Sequence, residues 1–163
     1  MRGLLRATQR SFTVNHSDSF SNLFLEPPKL SMIPAEPAHN ELILLAEDNA
    51  FVRMQIAKFL KDAGYGVVEA SDGDEALQML EKYEFGLAMV DVRMKPVDGF
   101  EFVRTIRGLN VTIPVVFVTG DSTADLLEQA NKWGVSAVLI KPVQKERLMK
   151  TVEKTIRTYR KGV

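Results

Sequence analysis

Five polar side chains stand directly behind short apolar runs, and their types suit the binding of a phosphoryl group. Glu47 and Asp48 follow Leu42 to Ala46, Asp91 follows Leu87 to Val90, Thr119 follows Val115 to Val118, and Lys141 with Pro142 follows Ala137 to Ile140. Gathering three carboxylates is costly, because like charges repel and raise one another's pKa values, so a cation or an ammonium must neutralise them. Oxygen donors without Cys or His partners suit Mg2+ or Mn2+ and disfavour zinc. A divalent cation beside a carboxylate, with a lysine opposite, holds a phosphoryl group. No glycine-rich phosphate cradle follows the first run, where Asn49, Ala50 and Phe51 stand, and Gly64-Tyr65-Gly66 reads as a helix stop and turn. The phosphoryl group is therefore expected on the protein itself, with a carboxylate of this rim as acceptor.

Singly, each residue has an ordinary explanation. An acid ahead of a helix is usually a cap or dipole partner, a Thr closing a strand usually reflects β-propensity, and a lone Lys is normally a solvated charge. Their joint placement at successive strand ends carries the argument.

The elements that must position them follow from periodicity. The four apolar runs, with Gly66 to Ala70 as a fifth segment, are strand-sized and lack the polar alternation of half-exposed strands, as in a parallel sheet covered on both faces. A helix is predicted over 51–63, with Val52, Ile56, Phe59 and Leu60 on one face and Gly64 as its stop. Asp72 and Glu75 predict a capping box for a helix carrying Ala76, Leu77, Met79 and Leu80. Further helices are predicted over 99–107, with Phe102, Val103 and Ile106 inward, over 123–133 and over 144–159. Five strands alternating with five helices make an α/β, doubly wound fold, whose ligand crevice lies beyond the carboxyl ends of the strands.

Composition bounds the rest. The chain of 163 residues is 45% hydrophobic and 26% charged, ordinary for a globular domain that buries a core. Basic and acidic residues balance at 21 each, so no overall field marks a nucleic-acid or membrane binder. The apolar runs fall far short of the ~20 residues of a membrane span. With no Cys, disulfides, thiolate metal sites and cysteine nucleophiles are excluded, and the two histidines, His16 and His39, lie ahead of the alternating region. Residues 1–40 show no sustained period and carry Pro27, Pro28, Pro34 and Pro37. They are expected to be a disordered or poorly ordered N-terminal extension, with 41–163 as the folded domain. Arg2, Arg6 and Arg10 without an acid before Asp18 also fit a transit peptide, and Met32 is an alternative start. From Lys141 onward eight basic residues face two acidic ones. This reads as a docked helix offering a basic face to a protein partner, in preference to direct nucleic-acid binding.

Residues 41–163 resemble the receiver domain of two-component response regulators. The resemblance rests on AEDN at 46–49, DGDEAL at 72–77, DVRMKPVDG at 91–99, VTG at 118–120 and IKP at 140–142. It implies a flavodoxin-like five-stranded parallel sheet in the order 2-1-3-4-5 with five helices. It also implies that Asp91 is the phosphoacceptor, supplied by a sensor histidine kinase, a histidine phosphotransfer protein or a small phosphodonor. Mg2+ (or Mn2+) would be bound by Asp48, Asp91 and the backbone carbonyl of Arg93, with Glu47 acting largely through water. Lys141 would pair with a phosphoryl oxygen, aimed inward by a cis Lys141–Pro142 bond, and Thr119 would move to hydrogen-bond another. The protein would then be a cytoplasmic, stand-alone switch or phosphorelay intermediate, an acceptor and not a turnover enzyme. Its output would run through the face of the fourth helix, fifth strand and fifth helix, to a downstream protein target or a homodimer.

Three departures from the family pattern stand out. Lys95 occupies a position usually held by Pro, with Pro96 next, so a shifted turn is expected while the loop to Gly99 keeps its length. Val138 stands where an aromatic switch residue is common. Arg93 and Asp121 occupy positions that tune dephosphorylation in the family, and an ion pair between them is expected to slow hydrolysis. Two alternatives remain open. A haloacid-dehalogenase-like phosphatase would need a second Asp where Arg93 stands. A pseudo-receiver that binds partners without phosphorylation would not need the complete pocket.

Overall fold

The computed structural model describes residues 41–162. The expectations for residues 1–40, including His16, His39, the prolines and the arginine pattern, lie outside the described residues. Ten elements alternate: β1 (Leu42–Ala46), α1 (Ala50–Asp62), β2 (Gly66–Ala70), α2 (Gly73–Leu80), β3 (Leu87–Asp91), α3 (Gly99–Gly108), β4 (Val115–Thr119), α4 (Ala124–Lys132), β5 (Ala137–Ile140) and α5 (Lys145–Lys161). The strands form one parallel sheet in the order β2-β1-β3-β4-β5.

Burial follows position in the sheet. Every residue of β3 and β4 is buried, whereas the edge strands β2 and β5 are largely half-exposed. Successive side chains point to opposite faces, so each central strand feeds two cores. Leu44, Ala88, Val90 and Phe117 pack against Ala76 of α2, Phe102 and Ile106 of α3, and Leu126 of α4. Ile43, Leu45, Met89, Val116 and Val118 pack against Ile56 and Leu60 of α1 and Leu148 and Val152 of α5. The uninterrupted apolar runs are thus two interleaved faces of one sheet. Truncating a fully buried member such as Leu45 to Ala would cost about 2–5 kcal/mol.

Element boundaries differ from the sequence expectation at informative places. Asp91 and Thr119 are the last residues of β3 and β4 and not the first residues beyond them. The reason is the ladder, in which Asp91 is in register with Val118 and Thr119 with Ile140. Helix α1 begins one residue early, because the Asn49 side chain accepts the amides of Phe51 and Val52, each at 3.1 Å. It ends at Asp62 with Ala63 as its C-cap, and Gly64 beyond turns the chain with a φ of 90°, in the left-handed region that favours glycine. Helix α5 runs to Lys161, beyond Tyr159.

The reciprocal capping box expected of Asp72 and Glu75 is half formed. Asp72 Oδ1 accepts the Glu75 amide at 2.9 Å. Glu75 Oε2, however, accepts both the amide and the hydroxyl of Ser71, each at 2.7 Å, and not the amide of Asp72. Ser71 offers two donors to one carboxylate oxygen, which outcompetes a single backbone N–H.

Candidate functional site

All five strands point the same way, so their carboxyl ends define one rim. Glu47 and Asp48 follow β1, Asp91 closes β3, Thr119 closes β4 and Lys141 follows β5. Glu47, Asp91 and Thr119 are buried, while Asp48 is exposed.

Backbone contacts fix the acidic residues. The Glu47 amide donates to Ala70 O at 3.1 Å, and the Glu47 carbonyl accepts Arg53 Nη1 at 2.6 Å. Glu47 Oε1 accepts the Asn49 amide at 3.2 Å, so the residue that caps α1 also orients the buried acid. At β3, the Arg93 amide donates to Asp91 Oδ1 at 3.3 Å, and the Val92 amide donates to Val118 O at 3.3 Å. The chain then returns to place Gly99 beneath the end of β3, with the Gly99 amide donating to Val92 O at 3.1 Å. A Cβ at residue 99 would lie 2.6 Å from Asp91 O and 2.9 Å from Val92 Cα, both backbone atoms. Only glycine permits this approach.

Lys141 closes the rim electrostatically. Its amide donates to Thr119 O at 2.8 Å, and its Nζ lies 2.7 Å from Glu47 Oε2 and 3.1 Å from Asp91 Oδ2. The Lys141–Pro142 and Lys95–Pro96 bonds are both cis. Burial, and then the nearby Asp91 charge, raise the Glu47 pKa, against the downward pull of the Lys141 ammonium. Burial opposes the charge on Lys141, yet the two carboxylates outweigh it and its pKa is raised. Both shifts favour protonation and so lessen the negative charge of the rim, whose three carboxylates outnumber its one ammonium.

Glu47, Asp48 and Asp91 bring one carboxylate oxygen each within 4.8 Å of one another. Glu47 Oε2 is buried, accepts no directed hydrogen bond and has the ammonium as its charged neighbour. An all-oxygen donor set with residual negative charge fits a hard divalent cation such as Mg2+. At the outer lip, Arg93 Nη2 lies 2.7 Å from Asp121 Oδ2, and the Asp121 amide donates to Thr119 Oγ1 at 3.1 Å.

Residues 43–153 match the family described as the response regulator receiver domain. The chain belongs to that family. Among curated relatives of this receiver domain is the transcriptional regulatory protein PdtaR of Mycobacterium tuberculosis, 35% identical over 127 residues, which cover 77% of this chain and 62% of the relative. The chain thus matches less than two thirds of that protein's length. The CAI-1 autoinducer sensor kinase/phosphatase CqsS of Vibrio cholerae is 33% identical over 138 residues, covering 80% of this chain and 20% of the relative. Among solved structures, the chemotaxis protein CheY4 of Vibrio cholerae superposes with a TM-score of 0.68 at 31% identity, covering 71% of this chain and 98% of that one. The CheY-like fold and its strand order are those implied by the sequence resemblance.

The structure brings together Glu47, Asp48, Asp91, Thr119 and Lys141, and it forms the Arg93–Asp121 pair. Sequence reasoning missed three residues that hold the receiver pocket in shape. Asn49 is of a type that favours helix caps, but its bond to Glu47 comes only with the fold. Arg53, one turn into α1, reaches back to the Glu47 carbonyl and lies 3.8 Å from Glu69 at the end of β2, a contact that only the fold creates. Gly99 was noted within a motif, and its reason is the 2.6 Å approach to Asp91 O. Among the described residues, no helix is long and apolar enough to cross a membrane.

Proposed function

We propose that this receiver domain is a phosphoacceptor switch in two-component signalling, accepting a phosphoryl group on Asp91 from the phosphohistidine of a sensor histidine kinase or histidine phosphotransfer protein. The observation that supports it most is the convergence of three carboxylate oxygens within 4.8 Å with the Lys141 ammonium 2.7 Å from Glu47 and 3.1 Å from Asp91.

In this reading an Asp91 carboxylate oxygen attacks phosphorus, a P–O bond forms as the P–N bond breaks, and the imidazole leaves with the electron pair. Bound Mg2+ supplies charge neutralisation to the equatorial phosphoryl oxygens. Asp48, Asp91 and the Arg93 carbonyl would hold it, with Glu47 acting through water, and Mn2+ has the same donor preference. Lys141 exchanges its contact with Asp91 for a phosphoryl oxygen. Thr119 Oγ1 accepts from the Asp121 amide, which leaves its own hydrogen to donate to a second phosphoryl oxygen. Positioning and charge neutralisation supply the acceleration. The domain is then an acceptor that loads and hydrolyses its own phosphate, and Arg93 stands where a dehalogenase-like phosphatase would need its general acid.

We take residues 41–163 as the receiver unit, acting in the cytoplasm, with 1–40 as a separate extension. A groove of about 600 Å³ beside β5, lined by Arg147, Lys150 and Lys154 of α5, and an acidic α4 surface bearing Asp125 and Glu128 offer complementary charge for a protein partner or a second copy. The test is labelling with acetyl phosphate, or with a phosphorylated histidine phosphotransfer protein, read by intact mass. A single hydroxylamine-sensitive phosphoryl addition that requires Mg2+ and vanishes in Asp91→Asn is expected. Retained labelling in that variant refutes Asp91 as acceptor. Sustained turnover of p-nitrophenyl phosphate would favour the phosphatase. No label and no spectral response to Mg2+ with beryllofluoride would favour the pseudo-receiver.

A further inference from the structure

A chain of contacts leads from the lip of the pocket to the first turn of α4. Asp121 Oδ2 receives Arg93 Nη2 at 2.7 Å. Oδ1 of the same carboxylate accepts the Thr123 amide at 2.9 Å. Thr123 is the N-cap of α4, and its side-chain oxygen accepts the Leu126 amide at 3.4 Å. The Asp121 amide donates to Thr119 Oγ1, and the Arg93 amide donates to Asp91 Oδ1. Asp121 is therefore tied at once to the β3–α3 loop, to the end of β4 and to the cap of α4.

The tie to Arg93 is made to be given up. The Arg93 side chain is 74% exposed, and exposed ion pairs are weak because water screens them. A phosphoryl group on Asp91, two residues away, would carry about 1.5 to 2 negative charges and three acceptor oxygens. The planar guanidinium suits such oxygens better than a single carboxylate already shared with a backbone amide. Val138, at the position where an aromatic could relay the change, is half-buried and packed against the core that includes Phe117.

We infer that Arg93 is a phosphoryl-binding residue held in reserve on Asp121, and that its transfer to the phosphoryl oxygens exposes Asp121 to like-charge repulsion and loosens the cap of α4. This rests on Asp91 being the phosphoacceptor, and it adds a route by which the new charge reaches α4 without an aromatic at 138.

The experiment titrates 15N-labelled protein with beryllofluoride and Mg2+, following amide resonances and hydrogen exchange in wild type, Arg93→Ala, Arg93→Lys and Asp121→Asn. In wild type, the Thr123 and Leu126 amides shift and lose protection. Arg93→Ala binds beryllofluoride about tenfold more weakly, and its response at Thr123 and Leu126 shrinks while that at Lys141 persists; Arg93→Lys recovers part of both. In Asp121→Asn the side-chain oxygen still accepts the Thr123 amide but no longer holds the guanidinium, so binding tightens roughly twofold to fivefold. A merely structural ion pair would move both affinities the same way, and that outcome overturns the inference. So does a full Thr123 and Leu126 response in Arg93→Ala. If wild type shows no response even at Lys141 and Thr119, the phosphoacceptor reading fails first and takes this one with it.

Discussion

Replacing Lys141 with Ala removes the ammonium that lies 2.7 Å from Glu47 and 3.1 Å from Asp91. The carboxylate oxygens left behind lie within 4.8 Å of one another, and at an effective dielectric of about 20 two unit charges at that spacing repel by roughly 3.5 kcal/mol. Proton uptake by Glu47 relieves part of this, since burial and Asp91 already raise its pKa. The expected loss is about 2–3 kcal/mol of folding stability near neutral pH without metal. The sign with pH is definite. A carboxyl whose folded pKa lies above its unfolded value contributes stability below the unfolded pKa and loses it as pH rises through the folded one. Loss of the ammonium raises the Glu47 value further, so the deficit is largest at about pH 7.5 and shrinks toward about pH 5. Mg2+ should bind the variant more tightly than wild type and recover stability, because the carboxylates are no longer compensated. Urea unfolding followed by the fluorescence of Trp133, the one tryptophan, with EDTA or with Mg2+, measures all three. A deficit that grows on acidification, or weaker Mg2+ binding in the variant, refutes the electrostatic account.

Gly99→Ala forces a Cβ to 2.6 Å from Asp91 O, so the loop under Asp91 must shift; a loss of about 1–3 kcal/mol in urea unfolding and slower acetyl phosphate labelling are expected, and an unchanged labelling rate counts against the contact. Asn49→Ala removes the acceptor of the Phe51 and Val52 amides, costing about 1 kcal/mol in chemical denaturation. Bonds from the Ser71 amide, then from its hydroxyl, hold the Glu75 pKa below its usual value. Its stabilisation is therefore present above the unfolded carboxyl pKa and lost as pH falls through the folded one. Glu75→Gln should cost about 1 kcal/mol at neutral pH, with the two unfolding curves converging in acid; a constant gap would show that the charge is not involved.

The positions of the strands were legible because their runs are apolar on both faces, and the rim residues were legible because each stands where such a run stops. The limit lay at the ends. Asp91 and Thr119 read as the first residues beyond their strands, yet ladder bonds to neighbours that are remote in sequence keep them inside. Asp72 and Glu75 matched a capping box by type and spacing, but Ser71 supplied two donors that a spacing rule does not weigh. Arg53 was invisible as a pocket residue because its partners, Glu47 O and Glu69, meet it only once β1, β2 and α1 are assembled. The Arg93–Asp121 pair, by contrast, was expected from the positions the two residues occupy in the family pattern, and the structure forms it at 2.7 Å.

Because all five strands run parallel, the turns that enter them gather at the pole opposite the carboxylates. The segment between α3 and β4, where Leu109 is 68% exposed, sits there, with the Arg107 side chain donating to the carbonyls of Val111 and Ile113 to keep its shape. New termini, a fluorophore or a fused reporter placed near Leu109 would ride on the sheet yet stand clear of the carboxylate rim. That separation makes the domain a natural insertion scaffold, in which attachments can be exchanged without touching the chemistry.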